Sequence, residues 1–134
     1  MKKSPQLLIV DDDEVLLIML EKMIHKLNPL RNLTMFSWGR SALDCLEELK
    51  SDQNSRFLLL DINLKDMSAW EFLSELESKN DQYSKVIIFT SSVSKHNQEI
   101  AKKYSSVIAF FEKPITFEVV NQIEKIIESH TSLS

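Results

Sequence analysis

"LLIVDDDEVL" (7–16) runs four apolar residues straight into three aspartates and a glutamate. With Gln6 added, the apolar half is short, uninterrupted and β-branched at its end. That is the pattern of a strand covered on both faces. The acidic half has two readings. Acidic side chains favour the N-terminal end of a helix, so the cluster can simply open the next element. But carboxylates this close repel one another, and folding them together costs free energy unless something positive sits among them. The second reading is a cation site, and it depends on what the rest of the chain delivers to the same place.

Past the aspartates, Val15, Leu16, Met19, Leu20, Met23, Ile24 and Leu27 follow helical spacing over Asp13–Leu27, and Asn28 and Pro29 end that helix. The alternation then repeats. Strands are read at "NLTMFS" (32–37), "RFLLLD" (56–61), "KVIIFTSS" (85–92) and "VIAFFEKP" (107–114). Between them, Gly39 opens a turn into the helix "RSALDCLEELK" (40–50), with Leu43, Leu46 and Leu49 on one stripe. "SAWEFLSELES" (68–78) offers Trp70, Phe72, Leu73 and Leu76 to the core. "SKHNQEIAKKY" (94–104) has only Ile100, Ala101 and Tyr104 to anchor it. "TFEVVNQIEKIIES" (116–129) closes the pattern, and the polar tail 130–134 is expected to fray. Five strand–helix units in succession imply an α/β fold, a doubly wound parallel sheet with helices on both faces.

The 134 residues suggest one domain, 1–134, with no second domain to carry an output. A hydrophobic content of 43% and a charged content of 27% are ordinary for a soluble globular protein. The net charge of −4 argues against a broad nucleic-acid-binding face. Cys45 is the single cysteine, which excludes an internal disulfide and fits a reducing compartment. "MKKSPQLLIVDDD" (1–13) holds too short an apolar run for a signal peptide or a membrane span, so a cytoplasmic location with no membrane partner is expected. Gly39 has no glycine neighbours, which excludes a glycine-rich nucleotide loop. His25, His96 and His130 show no metal-ligand spacing and read as exposed or capping residues.

In open α/β sheets, sites form beyond the carboxyl ends of the strands. The first strand ends on Asp11 and Asp12, the third on Asp61, the fourth on Thr90 and the fifth on Lys113. The second ends on Ser37 and Trp38, without obvious chemistry, and is expected at the periphery. Each residue alone has an ordinary explanation: an acid capping the next helix, a hydroxyl satisfied by backbone, a solvated lysine. Capping does not explain why four strand ends agree. Carboxylates, a hydroxyl and a lysine together suit a hard cation and a phosphoryl group. Mg²⁺ takes one or two carboxylates and keeps positions for water and phosphate oxygens, while lysine and hydroxyl donate to those oxygens.

"LLIVDDDEVL", "LLLDINLKDM", "IIFTSS" and "FFEKPIT", in this order and at these separations, resemble the receiver domain of two-component response regulators over nearly the whole chain. The resemblance implies a flavodoxin-like (βα)5 fold with strand order 2-1-3-4-5. It implies that Asp61 accepts a phosphoryl group from a histidine kinase or histidine phosphotransfer protein. Mg²⁺ (or Mn²⁺) would be held by Asp61, by Asp12 directly, by Asp11 mainly through water, and by the backbone carbonyl of Asn63. Thr90 would bind a phosphoryl oxygen. Lys113 would pair with Asp61 and then with the phosphoryl group. Phe110 matches the switch aromatic, and the Lys113–Pro114 bond matches one that is cis in this family. Asp13 is left as a helix cap. The protein would then be no enzyme beyond its own phosphorylation and dephosphorylation. It would signal to an unnamed output protein through the face of the fourth helix, fifth strand and fifth helix.

Three departures from the family pattern stand out. Lys65 replaces a common proline, Ser68–Ala69 replaces an acidic or amide residue followed by glycine, and Phe110 replaces a frequent tyrosine. If position 69 needs a positive φ, alanine costs about 1 kcal/mol there and the loop after Asp61 takes another shape. Without a hydroxyl, Phe110 would switch by packing alone. Two other functions compete. "DDDEVL" (11–16) also resembles the opening of haloacid-dehalogenase-like phosphatases, with Asp11 as nucleophile and Asp13 as acid/base. That family needs a further acidic metal pair beyond the lysine, and no aspartate follows Asp81. A pseudo-receiver that binds partners without phosphorylation is the other; the complete set of acids, Thr90 and Lys113 argues against it.

Overall fold

The computed structural model describes residues 5–131. The strands are β1 (Gln6–Val10), β2 (Asn32–Phe36), β3 (Arg56–Leu60), β4 (Ser84–Thr90) and β5 (Val107–Glu112). They form one sheet in the order β2-β1-β3-β4-β5, with every pair parallel. The helices α1 (Glu14–Leu27), α2 (Gly39–Glu48), α3 (Ala69–Ser78), α4 (Lys95–Ala101) and α5 (Phe117–Thr131) follow the strands in turn. This is the doubly wound, flavodoxin-like architecture. Side chains alternate across a strand, so β1 and β3 feed two cores. Leu8, Val10, Leu58 and Leu60 pack with Leu43, Leu46, Phe72 and Leu73 of α2 and α3. Leu7, Ile9, Phe57 and Leu59 pack with Leu20 and Ile24 of α1 and Val120 and Ile123 of α5. Among the described residues, no helix is long and apolar enough to cross a membrane.

The register sets the site. Val10 lies opposite Leu60, and Leu60 opposite Ile88. The Asp61 amide continues the ladder by donating to the Val10 carbonyl at 3.1 Å, and the Lys113 amide donates to the Thr90 carbonyl at 2.9 Å. The ends of four strands therefore stand side by side.

Several local expectations are corrected. In α1 the buried residues are Leu16, Leu17, Leu20 and Ile24, whereas Val15, Met19 and Leu27 are exposed. The helix carries more apolar residues than the sheet can cover, and those that pack against β1, β3 and α5 are the ones buried. Helix α4 is shorter than 94–104, and Ala101 is its only buried residue. Tyr104 lies beyond it and anchors the chain by stacking on Trp70, with ring centroids 6.0 Å apart. Helix α5 runs through His130 and Thr131 rather than fraying at 130; the Thr131 hydroxyl donates to the Ile127 carbonyl at 2.9 Å. Residues 132–134 of the expected tail lie outside the described residues. Ala69 is not strained. It opens α3 behind the cap Ser68, and the only non-glycine residue with positive φ among those described is Asn80.

At the amino ends of β3 and β4, buried Arg56 lies beside half-buried Asp81. Arg56 Nε donates to Ser84 Oγ at 3.2 Å, and its Nη2 lies 3.6 Å from the Asp81 carboxylate. Asp81 accepts from the Tyr83 and Ser84 amides and from the Ser84 hydroxyl. Burial pushes the Asp81 carboxyl up, but these hydrogen bonds and the Arg56 charge hold it below the ordinary value. A carboxyl with a depressed pKa stabilises the fold above its unfolded-state pKa, and the contribution is lost as pH falls through the lower folded-state value. Asp81→Asn is therefore expected to lower the urea midpoint at pH 7. The gap from wild type should narrow in titrations taken below about pH 4, the ordinary aspartate range.

Candidate functional site

Asp11 follows β1 and is buried. Its Oδ1 accepts from the Asp13 amide at 2.9 Å, and Asp13 in turn accepts from the Leu16 amide at 3.1 Å, capping α1. Asp11 Oδ2 takes the Lys113 ammonium at 2.8 Å, and the same ammonium lies 3.3 Å from Asp61 Oδ2. The Ile62 amide donates to Asp61 Oδ1 at 2.8 Å. Half-buried Asp12 completes the group, and oxygens of Asp11, Asp12 and Asp61 all lie within 4.8 Å of one another.

Burial pushes the Asp11 carboxyl up, more than its bonds to Lys113 and the Asp13 amide pull it down. Burial would push Lys113 down, yet the hydrogen bond to Asp11 and the charges of Asp11 and Asp61 hold it above its ordinary value. Lys113 is therefore an ammonium, one positive charge among three carboxylates. The excess of clustered, hard oxygen donors, with Asp12 open to solvent, fits a divalent cation such as Mg²⁺ or Mn²⁺.

Thr90 is fully buried at the end of β4, and its Oγ1 accepts from the Ser92 amide at 3.1 Å. Asn63 lies in the loop after Asp61, where its side chain donates to Ser92 Oγ at 2.8 Å. Phe110, opposite Ile88 on β5, is half-buried against the core beneath α2 and α3. The Lys113–Pro114 bond is cis. Thus Asp11, Asp61 and Lys113 are in direct contact, Asp12 joins their carboxylate cluster, and Thr90 ends the adjacent strand with its hydroxyl turned to Ser92. Of the histidines, His25 lies 3.0 Å from the Arg31 carbonyl and His130 2.9 Å from the Ile126 carbonyl, so both serve local backbone contacts.

Two residues at the rim lie within the quoted motifs but have no role assigned from sequence. Ser92 joins Asn63, Thr90 and, through its carbonyl, the Asn97 side chain. Asp66 accepts from the Gly39 and Arg40 amides, both at 2.9 Å.

The family model described as the response regulator receiver domain matches residues 7–125. The chain belongs to that family. Its fold is shared by the signal receiver domain of a Vibrio parahaemolyticus protein, at 24% identity and TM-score 0.82, over 98% of this chain and 95% of that one. A two-component response regulator from Legionella pneumophila is similar at 25% identity and TM-score 0.80, over 93% of this chain and 98% of that one. A CheY-like receiver domain protein from Methanospirillum hungatei JF-1 is similar at 20% identity and TM-score 0.79, over 98% of this chain and 100% of that one. No protein of curated function matches the sequence.

Receiver domains are signalling modules rather than conventional enzymes, and they work with histidine kinases, phosphotransfer proteins and output domains. They bind Mg²⁺ at an acidic pocket, and the cluster of Asp11, Asp12 and Asp61 could hold such an ion. Family membership, together with Asp13 serving as a helix cap, leaves the phosphatase alternative without support.

Proposed function

We propose that this receiver accepts a phosphoryl group on Asp61 from the phosphohistidine of a kinase or phosphotransfer protein, and passes the signal by protein contact. The observation that carries the reading is the Lys113 ammonium held between Asp11 and Asp61, at 2.8 and 3.3 Å, inside a cluster of carboxylates. The residues that would hold Mg²⁺ or Mn²⁺ are Asp12, Asp61, Asp11 through water, and the Asn63 carbonyl. When bound, the ion supplies positive charge opposite the phosphoryl oxygens.

The chain's own groups do the rest. A carboxylate oxygen of Asp61 forms a bond to phosphorus as the P–N bond of the phosphohistidine breaks, and that electron pair stays on the imidazole. Lys113, already at Asp61, donates to a phosphoryl oxygen. The Thr90 oxygen acts as an acceptor for the Ser92 amide, so its own O–H remains available to donate to the same group. Thr90 moving inward leaves space for Phe110 to turn toward the core. Helix α4 buries only Ala101, and so light an anchorage supports the face of α4, β5 and α5 as the output surface. Water later hydrolyses the acyl phosphate and resets the module. A cytoplasmic location fits this partner class.

The test is intact mass after incubation with acetyl phosphate. The expected result is a gain of one phosphoryl group, dependent on Mg²⁺ and removed by hydroxylamine, which cleaves an acyl phosphate but not a serine or threonine ester. No gain in the presence of Mg²⁺ returns the protein to the binding-only reading. Lys113→Met is expected to slow labelling about a hundredfold in the same time course, the loss typical of one donor to a developing oxyanion.

A further inference from the structure

The loop "NLKDMS" (63–68) contains neither proline nor glycine, so its shape rests on the contacts it makes. Its base is closed: the Ala69 amide donates to the Ile62 carbonyl at 2.9 Å, and Asn63 bridges to Ser68. Its tip is hydrogen-bonded to the start of α2 through Asp66. Asp66 Oδ1 accepts from the Gly39 amide and Oδ2 from the Arg40 amide.

Those amides belong to a helix end without a cap of its own. Trp38, at the N-cap of α2, makes no side-chain cap bond, and the first turn of α2 has no acidic residue. Asp66 therefore caps α2 from another part of the chain, placing its charge at the positive end of the helix. A second contact lies beside it. A Cβ on Gly39 would come within 2.8 Å of Met67 Cγ and Sδ and 3.1 Å of Leu64 Cδ1, so the loop rests directly on the helix start. Helix α2 is itself fixed to the sheet by buried Ala42, Leu43 and Leu46, and to α3 by paired bonds from Arg40 to Glu75 at 2.7 and 2.9 Å. The helix is the rigid body and the loop is what it holds.

The geometry points to Asp66 as a positioning residue for the cation site: by bolting the loop tip to α2, it fixes the segment that carries the Asn63 carbonyl beside Asp61. This rests on the magnesium-binding reading above. It adds a residue that touches neither ion nor phosphoryl group. Without Asp66 the hold on Asn63 reduces to its bridge to Ser68 and its side-chain bond to Ser92, which leave the loop free to tilt, and the Asn63 carbonyl is presented less often.

The experiment compares Mg²⁺ affinity by isothermal titration calorimetry with thermal midpoint, in the full chain. Asp66→Ala is expected to weaken Mg²⁺ binding about tenfold, the low end of what outer partners of a metal site contribute. It also uncaps α2, so a purely structural role must be separated. Trp38→Ser gives α2 its own cap. Asp66→Ala in that background should recover thermal midpoint while remaining about tenfold weaker for Mg²⁺ than Trp38→Ser alone. Equal Mg²⁺ affinity with and without Asp66 in the Trp38→Ser background overturns the proposal, because Asp66 is then only a helix cap. Should Asp66→Ala fail to fold, Asp66→Asn retains one acceptor oxygen and is expected to fall between the two; wild-type affinity in Asp66→Asn at a lowered midpoint also overturns it. A wild type that binds no Mg²⁺ overturns the site reading as well, whereas a wild type that binds beside an equally binding Asp66→Ala overturns this inference alone.

Discussion

Asp61→Asn is expected to take up no phosphoryl group from acetyl phosphate and Mg²⁺, yet to remain folded with little change in stability in metal-free buffer. The two halves have separate causes. An amide oxygen is a poor nucleophile and forms no acyl phosphate, so labelling should vanish rather than slow. The fold loses little because asparagine keeps the size of the side chain and an oxygen for the Ile62 amide, now held at 2.8 Å. The shorter contact of Lys113, the one to Asp11 at 2.8 Å, is untouched. One of three clustered carboxylates is neutralised, which relieves repulsion and offsets the lost attraction at 3.3 Å. The net change in urea unfolding is expected within about 1 kcal/mol. Labelling of Asp61→Asn at the wild-type rate would place the acceptor on another residue.

The largest loss of stability is expected from Glu124→Ala. Arg31 and Glu124 form a buried ion pair, with side chains 4% and 7% exposed. Arg31 Nη2 and Nε donate to the two carboxylate oxygens at 2.7 and 3.0 Å, and the Asn28 side chain adds a bond at 3.0 Å. Arg31 Nη1 also donates to the Pro5 carbonyl. The cluster ties the entry of β2 to the middle of α5. Removing Glu124 leaves a guanidinium buried without its counter-charge, which costs about 3–5 kcal/mol in equilibrium unfolding. Replacing Arg31 and Glu124 together by Met and Leu should cost much less, since the attraction in such a pair largely repays desolvation. A Glu124→Ala variant as stable as wild type would show that the pair is solvated.

The fold was legible because apolar strand cores recur at nearly constant spacing, and the candidate site because its residues follow four of those strands. What stayed hidden has physical reasons. In α1, apolar residues occupy so much of the circumference that periodicity cannot choose between Leu17, which is buried, and Val15 or Met19, which are not. The short α4 ends where polar residues make termination and exposure look alike, and Tyr104 finds Trp70 across a distance in sequence that no local pattern reports. Whether position 69 needs a positive φ depends on where α3 starts; Ser68 caps that helix and Ala69 opens it, so the condition for strain is not met. Ser92 and Asp66 act by side-chain bonds to groups 26–29 residues away in the chain, which periodicity does not encode.

The most direct measurement is a crystal structure grown with Mn²⁺, with its anomalous scattering mapped. The account requires one peak among the carboxylates of Asp11, Asp12 and Asp61, with the Asn63 carbonyl turned to it and Lys113 alongside. Saturating Mn²⁺ with no peak there, or with the Asp61 carboxylate directed away from the ion, contradicts it.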